Sequence, residues 1–127
     1  MPTPTDRRYS KTHEWIKLEG QTALVGITAH AQEALGDITF VELPKVGTTV
    51  KKDGASGVIE SVKAASDINA PAAGQVTEIN RDLETAPEEI NADPYGKGWM
   101  FKLANVSTTE MASLMDAGAY DAFVESE

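Results

Sequence analysis

The segment Gly57-Val58-Ile59-Glu60-Ser61-Val62-Lys63-Ala64-Ala65-Ser66-Asp67 places one lysine between two short, apolar stretches with strand character. This pattern predicts a tight β-hairpin with Lys63 at its tip. A primary amine at a hairpin tip is open to solvent, so an enzyme that recognises the shape of the hairpin can acylate it. Lys63 is therefore a candidate attachment point for a covalently bound group.

Composition fits a carrier better than a catalyst, and it argues against nucleic-acid-binding and disulfide-stabilised proteins. The chain has 127 residues, of which 41% are apolar, and this is enough for one domain with a single core. Eleven basic and twenty acidic residues give a net charge of −9, which disfavours nucleic acids and anionic membranes as partners. There is no cysteine, so disulfides, thiolate metal sites and cysteine nucleophiles are excluded.

The first eight residues contain no apolar run that could serve as a signal segment. We expect residues 1–8 to form a flexible N-terminal segment and residues 9–127 to form one domain. We also expect a monomer in a bacterial cytoplasm.

Short β-prone segments separated by turn residues predict a mostly β fold. A short helix over 29–35 is predicted as well, because Thr28 is typical of a helix start and Gly36 of a helix end. One helical turn is predicted after Pro87. The predicted strands cover 14–18, 22–27, 38–43, 48–50, 58–62, 75–79 and 99–103.

The C-terminal region carries a helix-start pattern. Ser107 and Glu110 have the spacing of a capping box, which predicts a helix that presents Met111, Leu114 and Met115 on one face. Gly118 is predicted to end this helix before a final turn.

Two similar turns lie on either side of the lysine. Pro44-Lys45-Val46-Gly47 and Pro71-Ala72-Ala73-Gly74 share a Pro-x-x-Gly pattern, and each belongs to an apolar strand region. Two similar halves of this kind predict a flattened barrel-sandwich hybrid of two interlocked antiparallel sheets. The intervening hairpin would then project Lys63 into solvent.

Several segments match one known family in the same order along the chain: Tyr9, Thr12-His13-Glu14-Trp15, Val25-Gly26-Ile27-Thr28, 31–37, 40–44, 57–64 and 93–99. Together they resemble the glycine cleavage system H proteins, and the resemblance runs from about Tyr9 to Phe123. In lipoyl-bearing domains, glycines lie sixteen residues before and eleven residues after the modified lysine. Gly47 and Gly74 fit both positions relative to Lys63.

This resemblance implies a non-catalytic lipoyl carrier, with lipoic acid joined by an amide to Lys63. Its implied partners are a pyridoxal-phosphate glycine decarboxylase, a tetrahydrofolate-dependent aminomethyltransferase, dihydrolipoyl dehydrogenase and a lipoate-attaching enzyme. The carrier would take the aminomethyl intermediate of glycine from the first to the second and present the dithiol to the third.

The resemblance also suggests a resting place for the arm, where a carboxylate pairs with the cationic aminomethyl group. Glu14 is the first candidate and Asp67 the second, and Thr12 could add a hydroxyl. The alternatives are a solvated carboxylate for Glu14 and a turn-former for Asp67. Glu60 and Ser61 are candidates for recognition by the lipoate-attaching enzyme, or ordinary strand residues.

Other functions are less well supported by the residues. A biotin carrier would have methionines on both sides of the lysine, and an acyltransferase lipoyl domain would have aspartate directly before it; Lys63 has neither. No arrangement of serine, histidine and acid predicts an enzyme. An H-like relay that donates lipoate to other enzymes remains an alternative.

The histidines and the large aromatic residues are not expected to form binding sites. His13 and His30 have no third ligand at metal-like spacing, so no metal site is expected. Tyr9, Trp15, Phe40 and Trp99 are expected to pack in the core or against the sheets.

Overall fold

Two antiparallel sheets make up most of the computed structural model, which describes residues 2–127. The strands are β1 Arg8–Tyr9, β2 Glu14–Glu19, β3 Thr22–Ile27, β4 Ile38–Glu42, β5 Thr49–Val50, β6 Ala55–Ser61, β7 Ala65–Asn69, β8 Gly74–Ile79 and β9 Phe101–Ala104. The helices are α1 Ala29–Leu35, α2 Asp82–Thr85, α3 Glu89–Ala92, α4 Thr108–Ala112 and α5 Ala117–Glu125.

The larger sheet has the strand order β1-β2-β3-β9-β8-β5, and the smaller one has the order β4-β6-β7. All neighbouring strands are antiparallel. Buried aliphatic and aromatic side chains from both sheets form one core, as expected when each sheet has one apolar face. The predicted mostly β architecture of two antiparallel sheets is confirmed. Central members of the core are Ile16, Val25, Ile59, Ile68, Val76, Phe101 and Leu103.

Helix α1 has the predicted bounds because both of its ends are capped as the sequence indicates. The Thr28 hydroxyl accepts a hydrogen bond from the Ala31 amide at 3.2 Å. Gly36 has a φ of 79° and donates its amide to the Gln32 carbonyl at 3.0 Å. The helix therefore stops at the point where the chain enters β4.

The glycines of the two Pro-x-x-Gly turns both lie next to the β5–β8 pairing, but they serve different purposes. Gly47 has a φ of 95°, and its amide donates to the Val76 carbonyl at 2.7 Å. Gly74 pairs with Val50 across β5 and β8, and a Cβ there would lie 3.1 Å from the Ala104 carbonyl oxygen. Gly47 is therefore required by backbone conformation, and Gly74 by the close approach of β9.

The C-terminal region differs from the prediction. Ser107 caps α4, because its hydroxyl accepts from the Glu110 amide at 3.3 Å. The Glu110 carboxylate does not complete the capping box but accepts from the Ala73 amide at 2.8 Å. Gly118 does not end this helix: α4 stops at Ala112, and Gly118 lies inside α5.

A backbone pairing explains why one predicted helix becomes two. Tyr9 and Met115 exchange both amide–carbonyl hydrogen bonds, at 2.8 and 3.0 Å. This bridge holds the chain in an extended conformation between α4 and α5. Asp116 then starts α5, with its side chain accepting from the Ala119 amide at 2.8 Å.

Helix α5 covers a second apolar cluster on the outer side of β1 and β2, which contains Tyr9, Trp15, Ala117 and Tyr120. The Tyr9 and Tyr120 rings stack with centroids 4.8 Å apart. The expectation that Tyr9 and Trp15 are packed is confirmed, whereas the one for Phe40 is wrong, since 48% of this residue is exposed. Within residues 2–127, no helix combines the length and the apolar character that crossing a membrane requires.

The same two substitutions should destabilise the protein in opposite order at the two glycines. At Gly47 we expect Ala to cost about 1 kcal/mol through left-handed backbone strain, and Asn to cost less because it tolerates that conformation. At Gly74 we expect Ala to cost about 1–3 kcal/mol through crowding against β9, and the larger Asn to cost more. Urea unfolding of the four variants measures this order, and the same order at both positions would contradict the distinction.

Candidate functional site

Lys63 lies at the tip of the β6–β7 hairpin, as predicted, in a loop made of Val62, Lys63 and Ala64. Ser61 holds this loop in shape. Its amide donates to the Ala64 carbonyl at 2.8 Å, and its hydroxyl accepts from the amides of Lys63 and Ala64 at 3.2 Å. The Lys63 side chain is exposed, so the amine stands on an ordered turn and is open to solvent.

The hairpin tip also rests on the end of α1. The Val62 amide donates to the Asp37 carbonyl at 3.0 Å. The Lys63 side chain passes Gly36 so closely that a Cβ at that glycine would lie 3.5 Å from the lysine Cε. The position of Lys63 therefore depends on the helix cap as well as on its own hairpin.

Glu60 and Ser61, the two candidates for recognition by an attaching enzyme, differ in their surroundings. Glu60 is exposed and lies between Phe40 and Ala65 in the register of the smaller sheet. Ser61 is only partly exposed, and its hydroxyl is occupied by the turn. Glu60 is thus free to contact a partner, whereas Ser61 shapes the loop.

Glu14 lies at the start of β2 with only 2% of its surface exposed. Its Oε1 accepts hydrogen bonds from the hydroxyls of Ser10, at 2.6 Å, and Thr12. Its Oε2 accepts from the backbone amide of Asn69 at 3.1 Å. The alternative of a solvated strand carboxylate is therefore wrong, because β7 and the Ser10–Glu14 loop enclose this group.

The Glu14 carboxylate is surrounded by hydrogen-bond donors rather than by a cation. Among the ion pairs of residues 2–127, none involves Glu14. Burial raises the pKa of Glu14, and the hydrogen bonds from Ser10, Thr12 and Asn69 offset only part of this effect. A cation brought next to this carboxylate would stabilise its charged form.

Asp67 and Thr12 lie on the solvent side of this site. Asp67 is exposed in β7, two residues before Asn69 and on the same face of the strand, so their Cα atoms are about 7 Å apart. Thr12 is exposed, and with Ser10 it lines an open cavity of about 470 Å³. The structure thus brings the three predicted arm residues to one region, and Lys63 lies at most about 13 Å along the strand from Asp67.

Sequence reasoning missed Ser10 and Asn69. A serine four residues before Glu14 could have been recognised as a local partner. The Asn69 amide could not, because it is 55 residues away in the chain and its contact depends on the packing of one sheet on the other.

The two histidines have a partner that their spacing did not reveal. His13 Nε2 lies 3.2 Å from Glu127 Oε2, and His30 Nε2 lies 3.5 Å from Glu127 Oε1. His13 Nδ1 is hydrogen-bonded to the Tyr120 hydroxyl at 2.8 Å. Burial lowers the pKa of His13 and raises that of Tyr120 to about 12.

Comparison with known proteins identifies the family. A family model described as "Glycine cleavage H-protein" matches residues 7–127. The chain belongs to the glycine cleavage H-protein family. This membership confirms the resemblance seen in the sequence.

Individual relatives cover nearly the whole chain. The glycine cleavage system H protein of Laribacter hongkongensis is 56% identical over 93% of this chain and 94% of that protein. The one from Thermus thermophilus is 54% identical over 100% of this chain and 99% of that protein. The crystal structure of a glycine cleavage system H protein from Mycobacterium marinum, 40% identical, superposes with a TM-score of 0.87 over 96% of this chain and 98% of that one.

The buried carboxylate predicts a pH dependence of stability. Because its pKa is raised on folding, the folded protein holds the Glu14 proton more tightly than the unfolded chain does. The stabilisation from Glu14 is therefore complete below the unfolded-state pKa and is lost as the pH rises through the folded-state pKa. We expect Glu14→Gln to remove this fall from the curve of unfolding free energy against pH.

The exposed Glu60 offers a matched control for the same measurement. Glu60→Gln removes one carboxylate without removing a buried one, so its curve should keep the slope of the wild type. Equal slopes for Glu14→Gln and the wild type would contradict the raised pKa.

Proposed function

We propose that this protein is the lipoyl-bearing carrier of a glycine cleavage system and that lipoic acid is attached to Lys63. The observation that carries the proposal is an exposed lysine on an ordered hairpin tip in a chain of the H-protein family. Attachment requires the Lys63 amine to attack the activated carboxyl group of a lipoyl donor. The amide bond forms, the donor's leaving group departs and the amine loses a proton.

The residues around Lys63 support this attachment in two ways. Ser61 fixes the turn through its hydrogen bonds to Lys63 and Ala64, so the backbone of the tip is ordered before an enzyme binds. Glu60 offers an exposed carboxylate three residues before the lysine. We propose that the lipoate-attaching enzyme recognises the shape of the turn together with this charge.

The proposed role is that of a carrier and not of a catalyst. When bound, the lipoyl group supplies the sulfur chemistry on which an aminomethyl unit travels from the glycine decarboxylase to the aminomethyltransferase, before dihydrolipoyl dehydrogenase reoxidises the dithiol. The chain supplies the attachment point and a place where the loaded arm rests. The cysteine-free sequence fits this role, because it offers no thiol that would exchange with the dithiol.

We propose Glu14, Thr12 and Asp67 as the resting place of the loaded arm. Glu14 is a buried carboxylate without a cationic partner among the described residues, and a cationic aminomethyl group supplies the missing charge. Thr12 is the exposed contact of this carboxylate, so its rotation opens the route to Oε1. Asp67 adds a second negative charge at the entrance.

Lipoylation at Lys63 can be tested by intact-mass measurement after coexpression with a lipoate-attaching enzyme. We expect the wild type to gain the mass of one lipoyl group. Lys63→Arg keeps the positive charge but cannot form the amide in the same way, so it should gain none. Lys45→Ala removes another exposed lysine and should be modified like the wild type.

An equal mass gain in Lys63→Arg would overturn the attachment site. A second arm of the experiment separates glycine cleavage from a general lipoyl relay. The lipoylated protein should support glycine-dependent exchange of carbon dioxide with an active glycine decarboxylase. Lipoylation without exchange would favour the relay.

The resting place predicts a change in the lifetime of the loaded protein. In Glu14→Gln the charge pair with the aminomethyl group is lost, and we expect hydrolysis of the loaded arm to be about tenfold faster, which corresponds to about 1.4 kcal/mol. The rate is measured by the release of formaldehyde or ammonia from purified loaded protein. Glu60→Gln should hydrolyse at the wild-type rate, and an unchanged rate in Glu14→Gln would exclude Glu14 from the resting place.

A further inference from the structure

Three segments that are distant in sequence bring two imidazoles and a carboxylate together at one surface position. His13 comes from the loop between β1 and β2, His30 from the first turn of α1, and Glu127 follows α5. One ligand atom from each of the three lies within 4.8 Å of the other two. The side chains of His13, His30 and Glu127 are 19%, 42% and 40% exposed, so an ion can reach them from solvent.

The three residues lie close to the separations that a small divalent metal ion requires. A tetrahedral ion with bonds of about 2.0–2.1 Å has ligand atoms separated by about 3.4 Å. The Nε2 atoms of His13 and His30 lie 3.2 and 3.5 Å from different oxygens of the Glu127 carboxylate, and one ligand atom from each residue lies within 4.8 Å of the other two. Binding would therefore draw the exposed His30 and Glu127 side chains inward so that one carboxylate oxygen and both imidazoles reach the ion.

The His13 ring is held in the orientation that a metal ligand needs. Its Nδ1 is 2.8 Å from the Tyr120 hydroxyl, which in turn is 2.7 Å from the Thr28 hydroxyl. When Nδ1 donates to Tyr120 and Tyr120 donates to Thr28, Nε2 carries a lone pair that can bind a cation placed between His13 and Glu127. Metal-binding histidines commonly have their second nitrogen fixed in this way.

The backbone also fixes the position of His13. This residue has a φ of 72°, in the left-handed region that histidine enters more often than most non-glycine residues. The Thr28 amide donates to the His13 carbonyl at 3.0 Å and helps to hold this conformation. Strained residues of this kind are concentrated at functional sites.

We propose that His13, His30 and Glu127 form a binding site for a divalent transition-metal ion of the zinc type. Two imidazoles and one carboxylate are a ligand set that zinc accepts, with water in the remaining position. The ion would link Glu127, which follows α5, to α1 and to the loop between β1 and β2 that carries Thr12. This site is separate from Lys63, and the proposal does not depend on lipoylation.

The chain is well suited to a direct test because it contains only two histidines and no cysteine. Zinc sulfate is titrated into the unmodified full-length protein and followed by imidazole NMR signals and by calorimetry. We expect both histidines to shift together, with one ion bound per chain. Cobalt(II) should bind at the same site and give the intense visible absorption of a four-coordinate complex.

Variants distinguish coordination from simple surface binding. His30→Gln and Glu127→Gln each remove one exposed ligand and should weaken zinc binding by more than about tenfold, while the fold stays intact. Tyr120→Phe removes only the hydroxyl that orients His13 and should weaken binding by about tenfold. Glu125→Gln removes an exposed acid on α5 and should leave the affinity unchanged.

Several results would overturn the proposal. Histidine signals that do not respond to zinc would show that the cluster is a hydrogen-bonded contact only. Equal weakening by Glu125→Gln and Glu127→Gln would show that zinc is attracted by the net negative charge and is not coordinated. Failure of this test leaves the lipoyl attachment at Lys63 unaffected, since the mass measurement is made independently.

Discussion

Glu14 places a carboxylate between the two sheets, where it accepts hydrogen bonds from the loop before β2 and from the backbone of β7. This contact links β2 to β7, the strand that follows the lysine. A buried carboxylate is destabilising unless its oxygens are satisfied, and its hydrogen-bond donors must therefore stay in position. The relative placement of the hairpin and the Ser10–Glu14 loop depends on this one group.

The same constraint relates structure to the proposed function. A carboxylate that is buried with donors and without a counter-ion is held ready for a cation, whereas one already paired with an arginine would not be. Lys63, by contrast, has no buried contact that restrains its amine, and only the backbone around it is fixed. The protein thus combines an ordered hairpin tip, an exposed lysine side chain and a buried carboxylate that is bonded to the strand following that lysine.

Local patterns predicted much of the fold because they depend on neighbouring residues. The cap residues Thr28 and Gly36 give the bounds of α1, and the turn around Lys63 follows from the two strand-like stretches on either side of it. The C-terminal region shows where this reasoning fails. Ser107 indicated a helix start correctly, but the break before α5 comes from pairing of Met115 with Tyr9, more than a hundred residues away.

The sequence by itself determined the family, the place of Lys63 at a hairpin tip and the strand pattern, since each is a matter of residue identity and short-range spacing. Only the tertiary structure decided that Glu14 is buried, that Gly74 is needed for close strand packing and that Glu127 joins the two histidines. The physical reason is the same in all three cases. Burial, crowding and ligand geometry depend on which distant segments meet, and that is settled when the sheets and helices pack together.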